Sequence, residues 1–100
     1  MERAVSIGSM VVAAEHQVSS DLGDEVAILD LKGGTYYGLD AVGARTWSLI
    51  QKPTTVREIH DVLVSEYEVE PDRCARDLLA LLRRLAEEGL IIEVRDETPA

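Results

Sequence analysis

The feature that most constrains this chain is a change of hydrophobic period at Asp40. Before it, apolar residues fall in short, glycine-punctuated runs of strand character. After it, they recur at three and four residues, the spacing of an amphipathic helix. Strands followed by helices, rather than strands alternating with them, describe an α+β chain.

In the first half, residues 18–22 and 25–31 flank Gly23-Asp24, and glycine leading a two-residue connection is a type II′ hairpin signal. Lys32-Gly33-Gly34 makes a second turn before residues 35–39. Together these predict a three-stranded antiparallel meander. In its middle strand Val26 and Ile28 alternate with Ala27, Leu29 and Leu31, so both faces are apolar and each is expected to be covered. Residues 10–14 add a further strand or extend the first.

In the second half, Asp40 can cap a helix over 41–50, with Pro53 beyond its end. Thr55-Val56-Arg57-Glu58 is a capping box for a helix over 56–66, with Ile59, Val62 and Leu63 on one side. Pro71 opens a third helix and Gly89 marks its end. Leu90, Ile91, Ile92 and Val94 then form a short apolar exit, a strand or a strap over the core. Residues 96–100 read as frayed.

On the third helix, Cys74, Ala75, Leu78, Leu79, Leu81, Leu82, Leu85 and Ala86 span an arc of roughly 160°, where one neighbour needs about 100°. The surplus is met by packing on two neighbours, or by one edge lining a groove. Cys74, Asp77, Leu81 and Arg84 form one such edge; Leu79, Arg83 and Ala86 form the other.

A chain of 100 residues fits one domain, with 10–94 as its expected ordered core. It buries roughly 65% of its unfolded surface. Nineteen acidic against 10 basic residues give a net charge of −9. The excess is spread over both halves, and it disfavours nucleic acid and anionic membrane surfaces. The longest apolar runs, 10–14 and 78–82, are far too short to span a bilayer. Glu2, Arg3, Ser6, Gly8 and Ser9 make the N-terminus a poor signal peptide. Cys74 alone supports neither an intrachain disulfide nor a thiolate metal cluster. A cytoplasmic protein is the expectation.

Catalysis finds little support. His16 and His60 lie in different segments, and Cys74 sits on the apolar arc, where cysteine is usually a small packing residue. No His, Asp and Glu spacing calls for a metal, and Gly33-Gly34 is too short for a phosphate loop. Strand pairing is better supported. Residues 35–39 end the meander and lack the Lys, Pro or bulge that blunts most edges. A free edge beside an apolar helix flank is the architecture for adding a peptide as an extra strand. Tyr36 or Tyr37 could line a pocket of that cleft, with the other of the two facing the core, because neighbours on a strand alternate.

The run Gly34-Thr-Tyr-Tyr-Gly-Leu-Asp-Ala-Val-Gly-Ala-Arg-Thr-Trp47 resembles the signature of PqqD-like proteins. Val26-Ala-Ile-Leu-Asp-Leu31, Thr55-Val-Arg-Glu-Ile59 and Leu85-Ala-Glu-Glu-Gly-Leu90 agree with it, so the likeness covers about 18–92. It implies a three-stranded N-terminal sheet followed by a three-helix winged-helix-like unit. It also implies a recognition element that binds the leader of a ribosomal precursor peptide as an added strand. The implied cleft lies between the meander's third strand and the third helix. The Leu-Asp-x-Val-Gly-Ala-Arg form looks most like stand-alone lasso-peptide proteins, which deliver the precursor to a separate leader peptidase ahead of a lasso cyclase. Their leaders usually carry Tyr-x-x-Pro. Thr35, Tyr36, Tyr37, Gly38, Leu29, Cys74, Asp77, Leu78, Leu81 and Arg84 are then the expected peptide contacts, with no cofactor and no metal. Thr46 stands where the family commonly has Ile, and Glu70 where a Ser or Asp cap is common; both are expected to lie clear of the cleft. Three other readings remain. One is a winged-helix DNA-binding regulator using Arg73, Arg76, Arg83 and Arg84, against which stand Asp72, Asp77, Glu87 and Glu88 on the same helix. Another is a module that uses its open edge on itself as a weak homodimer. The third is a small enzyme.

Overall fold

The computed structural model describes residues 5–94, so the segment 96–100 lies outside the described residues. The meander forms as β2 (Gln17–Asp21), β3 (Val26–Asp30) and β4 (Tyr36–Leu39), all antiparallel. Gly23, at φ +89°, closes the first turn, and Leu22 N–H bonds to Glu25 C=O at 2.8 Å. That left-handed conformation is open to glycine at no steric cost. The second turn is longer than two residues. Leu31 leaves the strand, and the Asp30 carboxylate accepts from the Lys32 N–H at 3.0 Å. The strand itself therefore starts again at Tyr36, one residue later than the sequence indicates, although Thr35 C=O already accepts from Asp30 N–H.

Residues 10–14 neither join the meander nor extend its first strand. They form β1 (Met10–Ala13), the centre of a second sheet between β5 (Thr54–Thr55) and β6 (Ile91–Val94), which is the apolar exit. Three further backbone bonds surround β1. Ala13 N–H reaches Ile50 C=O at 2.8 Å, Ala14 N–H reaches Leu90 C=O at 2.9 Å, and Val56 N–H reaches Ser9 C=O at 2.9 Å.

The helices are α1 (Ala41–Leu49), α2 (Val56–Glu66) and α3 (Pro71–Glu87). Asp40 caps α1 by accepting from Gly43 N–H at 2.9 Å. Thr55 caps α2 by accepting from Glu58 N–H at 3.1 Å, but only this half of the capping box forms. Thr55 already belongs to β5, opposite Met10, and the bond to β1 at this point comes from the next residue, Val56 N–H to Ser9 C=O. Glu70 replaces the shorter cap with a longer reach, its carboxylate accepting from Asp72 and Arg73 N–H at 3.2 and 2.9 Å. At the far end Gly89 takes φ +75°, Gly89 N–H bonds to Ala86 C=O, and Leu90 N–H bonds to Leu85 C=O. This paired closure is a Schellman motif.

The core gathers Val11, Ile28, Trp47, Ile50, Ile59, Leu63, Leu82 and Leu90 from every layer, and Trp47 is only 4% exposed. The inner face of the meander rests on α1, while α3 packs against α2 and β6. Among the described residues nothing covers the outer face of the meander, contrary to the expectation of cover on both sides. Val18, Leu29 and Tyr36 lie directly across from one another there, with Leu22 and Leu31 nearby, all exposed. No described helix is long and apolar enough to cross a membrane.

The cap at Gly89 yields a direct test. Gly89→Ala forces an L side chain into the left-handed region, at a cost of about 1 kcal/mol. Thermal unfolding followed by circular dichroism should then shift down by about 4–8 °C. An unchanged midpoint would show that the α3 terminus does not depend on this conformation.

Candidate functional site

Among the described residues β4 pairs with β3 alone, so its other edge is free. Which of its groups point outward follows from the ladder. Asp30 N–H bonds to Thr35 C=O at 2.8 Å. Antiparallel pairs alternate between bonded and non-bonded, so Tyr37 and Leu39 turn their backbone groups toward β3. Tyr36 and Gly38 turn theirs to the open edge. Side chains alternate independently across the sheet. Tyr37 and Leu39 face inward, opposite Ile28 and Val26; Tyr36 faces outward, 65% exposed, opposite Leu29.

Beside this edge lies a groove of about 520 Å³. Gly38 and Leu39 form one wall, Cys74, Asp77, Leu78 and Leu81 of α3 the other. Val42, Gly43 and Thr46 of α1, with Leu63 and Val69, complete the lining. The surplus apolar arc of α3 divides accordingly. Leu82 and Leu85 are buried in the core, whereas Leu81 remains half-exposed in the groove. The lining carries two carboxylates, Asp40 and Asp77, and no cation. Asp40 is committed to its cap, and Asp77 pairs loosely with Arg73 at 3.9 Å.

Five of the expected contact residues are thus brought together: Gly38, Cys74, Asp77, Leu78 and Leu81. The others lie around the groove rather than in its lining. Thr35 is in the turn before β4, Leu29 and Tyr36 are on the outer sheet face, and Arg84 is exposed further along α3. Tyr37 points inward and donates its hydroxyl proton to Glu88 Oε2 at 2.6 Å. The Glu88 carboxylate, through that hydrogen bond, pushes the phenol above its ordinary pKa, so Tyr37 remains a donor throughout the neutral range.

Leu39, Val42, Gly43, Thr46, Leu63 and Val69 were not legible as lining residues. Each carries the period of its own element, and nothing local says which apolar side chain ends at a groove. Thr46 corrects the expectation that it lies clear of the cleft. It lines the groove at 1% exposure, and its hydroxyl is satisfied by donating to Val42 C=O at 3.0 Å. Gly43 has a steric reason to be glycine: an added Cβ would sit 3.2 Å from Leu39 Cβ and 3.3 Å from Asp40 Oδ1. Among the described residues no group of three His, Cys, Asp or Glu is placed to hold a metal ion.

A three-stranded meander, three helices and a second small sheet, with an apolar groove beside a free edge, define the class of protein. Residues 25–91 match the family described as coenzyme PQQ synthesis protein D, and the chain belongs to this PqqD family. It is similar to the solved structure of TbiB1 in complex with the TbiA(beta) leader peptide. The identity is 41% and the TM-score 0.77, over 85% of this chain and 99% of that one. It also shares its fold with a lasso peptide synthetase B1 complexed with the leader peptide. There the identity is 24% and the TM-score 0.72, over 82% of this chain and 96% of that one. No curated protein sequence matches the chain.

Cys74 gives a probe of the groove. Burial pushes its thiol upward, and the Asp77 carboxylate adds to this. Since the thiolate is the reactive form, Cys74 should react with Ellman's reagent much more slowly in the folded chain than in urea. Equal rates would show that the groove wall is open to reagent.

Proposed function

We propose that this chain is a binding protein rather than an enzyme, one that takes the leader of a ribosomal precursor peptide as an added antiparallel strand on β4. The observation that carries this reading is the free Tyr36 and Gly38 backbone edge directly beside an apolar groove. The 41% likeness to TbiB1, a protein solved with a leader peptide, supports it and favours lasso-peptide biosynthesis as the setting. Tyr36 and Gly38 offer four outward backbone groups, whose hydrogen bonds contribute about 2–6 kcal/mol in total. A micromolar complex needs about 8 kcal/mol. The backbone supplies register, and an apolar or aromatic side chain seated against Leu78 and Leu81 supplies the remainder.

Binding of this kind presents an extended peptide to a separate leader peptidase at raised effective concentration, before a cyclase acts. The uncovered apolar face around Leu29 and Tyr36 supports a protein partner of this sort. DNA recognition by α3 is less favoured. Arg73 is paired with Asp77, Arg83 donates to Val5 C=O at 2.9 Å, and the net charge of −9 repels phosphate.

Fluorescence polarisation with labelled leader peptides tests the reading, using TbiA(beta) leader and the leader of any precursor encoded beside this gene. Micromolar or tighter binding is expected. Gly38→Pro removes one outward N–H without touching the β3 ladder and should weaken binding about tenfold, whereas Gly38→Ala, whose Cβ meets nothing within 4 Å, should not. Leu81→Asp should weaken it by a similar factor. Binding to random duplex DNA with none to either leader would overturn the proposal.

A further inference from the structure

We infer that the Tyr37–Glu88 hydrogen bond is the end wall of the groove and fixes the register in which a peptide adds to β4. This inference rests on the peptide-binding reading above. On the strand side the lining stops at Gly38, and on the helix side at Leu81. The next inward residue of β4 is Tyr37, and two turns beyond Leu81 on α3 is Glu88. These two meet at 2.6 Å across 51 residues of sequence. The N-terminal end of β4 is therefore tied to the C-terminal end of α3 just beyond the lined part of the groove.

The backbone of each partner is set by the fold, and the exposed Glu88 carboxylate is held by the bond to Tyr37 itself. Glu88 is the C-cap of α3, fixed by the Gly89 turn that follows. Tyr37 is half-buried on the inner sheet face, opposite fully buried Ile28. The bond is charge-assisted, which makes it stronger than a neutral one.

An end wall solves a problem that pattern alone leaves open. Side chains on a strand alternate, so a one-residue slip puts every anchor on the wrong face. A two-residue slip does not; it moves the peptide about 6.8 Å and keeps the same face inward. Backbone pairing to Tyr36 and Gly38 cannot distinguish those two registers either. An inward side chain opposite Leu39 lies over the groove, whereas one opposite Tyr37 meets the closed end. A bulky anchor is accepted in one register and refused in the other.

The test compares two labelled probes, the TbiA(beta) leader peptide and the same peptide with the apolar or aromatic residue whose alanine substitution most weakens binding moved two residues toward the clasp. The folded wild-type chain should prefer the parent peptide by about tenfold. Tyr37→Phe and Glu88→Ala should reduce that preference to about threefold or less, while Glu88→Gln, whose amide oxygen still accepts, should retain it. Circular dichroism confirms that each variant is folded, and Tyr37→Phe removes a single exposed hydroxyl. A clasp with only a structural role would weaken both probes alike; an unchanged preference in Tyr37→Phe and Glu88→Ala overturns the inference while leaving peptide binding intact. Failure of the wild-type chain to bind the parent probe overturns the peptide-binding reading itself, and the register role with it.

Discussion

The backbone bonds that gather around β1 are the constraint on which the rest of the structure depends. Four residues of strand and their two neighbours receive the end of α1 at Ile50, the start of α2 at Val56 and the exit from α3 at Leu90. Val11, at the centre of this strand, is fully buried. Each bond also satisfies a polar group that would otherwise be costly to bury at a helix boundary. Once the three helix ends are fixed, the angle at which α3 approaches the meander is fixed as well.

The groove is a consequence of that placement. α3 has more apolar surface than α2 and β6 cover, and its remaining flank stands opposite the last strand of the meander. The corner at Leu39 and Asp40 completes the arrangement. Leu39 is buried as the final inward residue of β4, and Asp40 caps α1 immediately afterwards. With no residues spent on a loop, the free edge of β4 is held close to α1 and α3, and Gly43 permits the close approach. On the peptide-binding proposal, an edge already formed beside an apolar hollow would take up a flexible peptide without reordering the protein, which limits the entropic cost of association.

The acidic charge has a related part. An exposed strand edge and an uncovered apolar face are both liabilities for self-association. The meander carries Asp21, Asp24 and Glu25 at one end, with Lys32 as its one cation, so two copies meeting face to face oppose like charges.

Much of the fold was legible because its signals are local. The Gly23 turn, the Asp40 and Thr55 caps, Pro71 at the start of α3 and Gly89 at its end act within a few residues, and each appears where its chemistry requires. The width of the α3 stripe showed that one helix had surface beyond what a single neighbour needs, and the resemblance over 34–47 implied a use for it. What sequence alone determined was therefore the meander, the three helices, their order and the residue types available for a cleft, but not β5 or the second sheet. The tertiary structure decided the rest: that residues 10–13 pair with β5 and β6 instead of the meander, that Thr46 lines the groove, that Arg84 does not, and that Tyr37 meets Glu88. These are contacts between segments tens of residues apart. No period or cap encodes them, because they arise only when the packing of all the apolar faces has set the distances between elements.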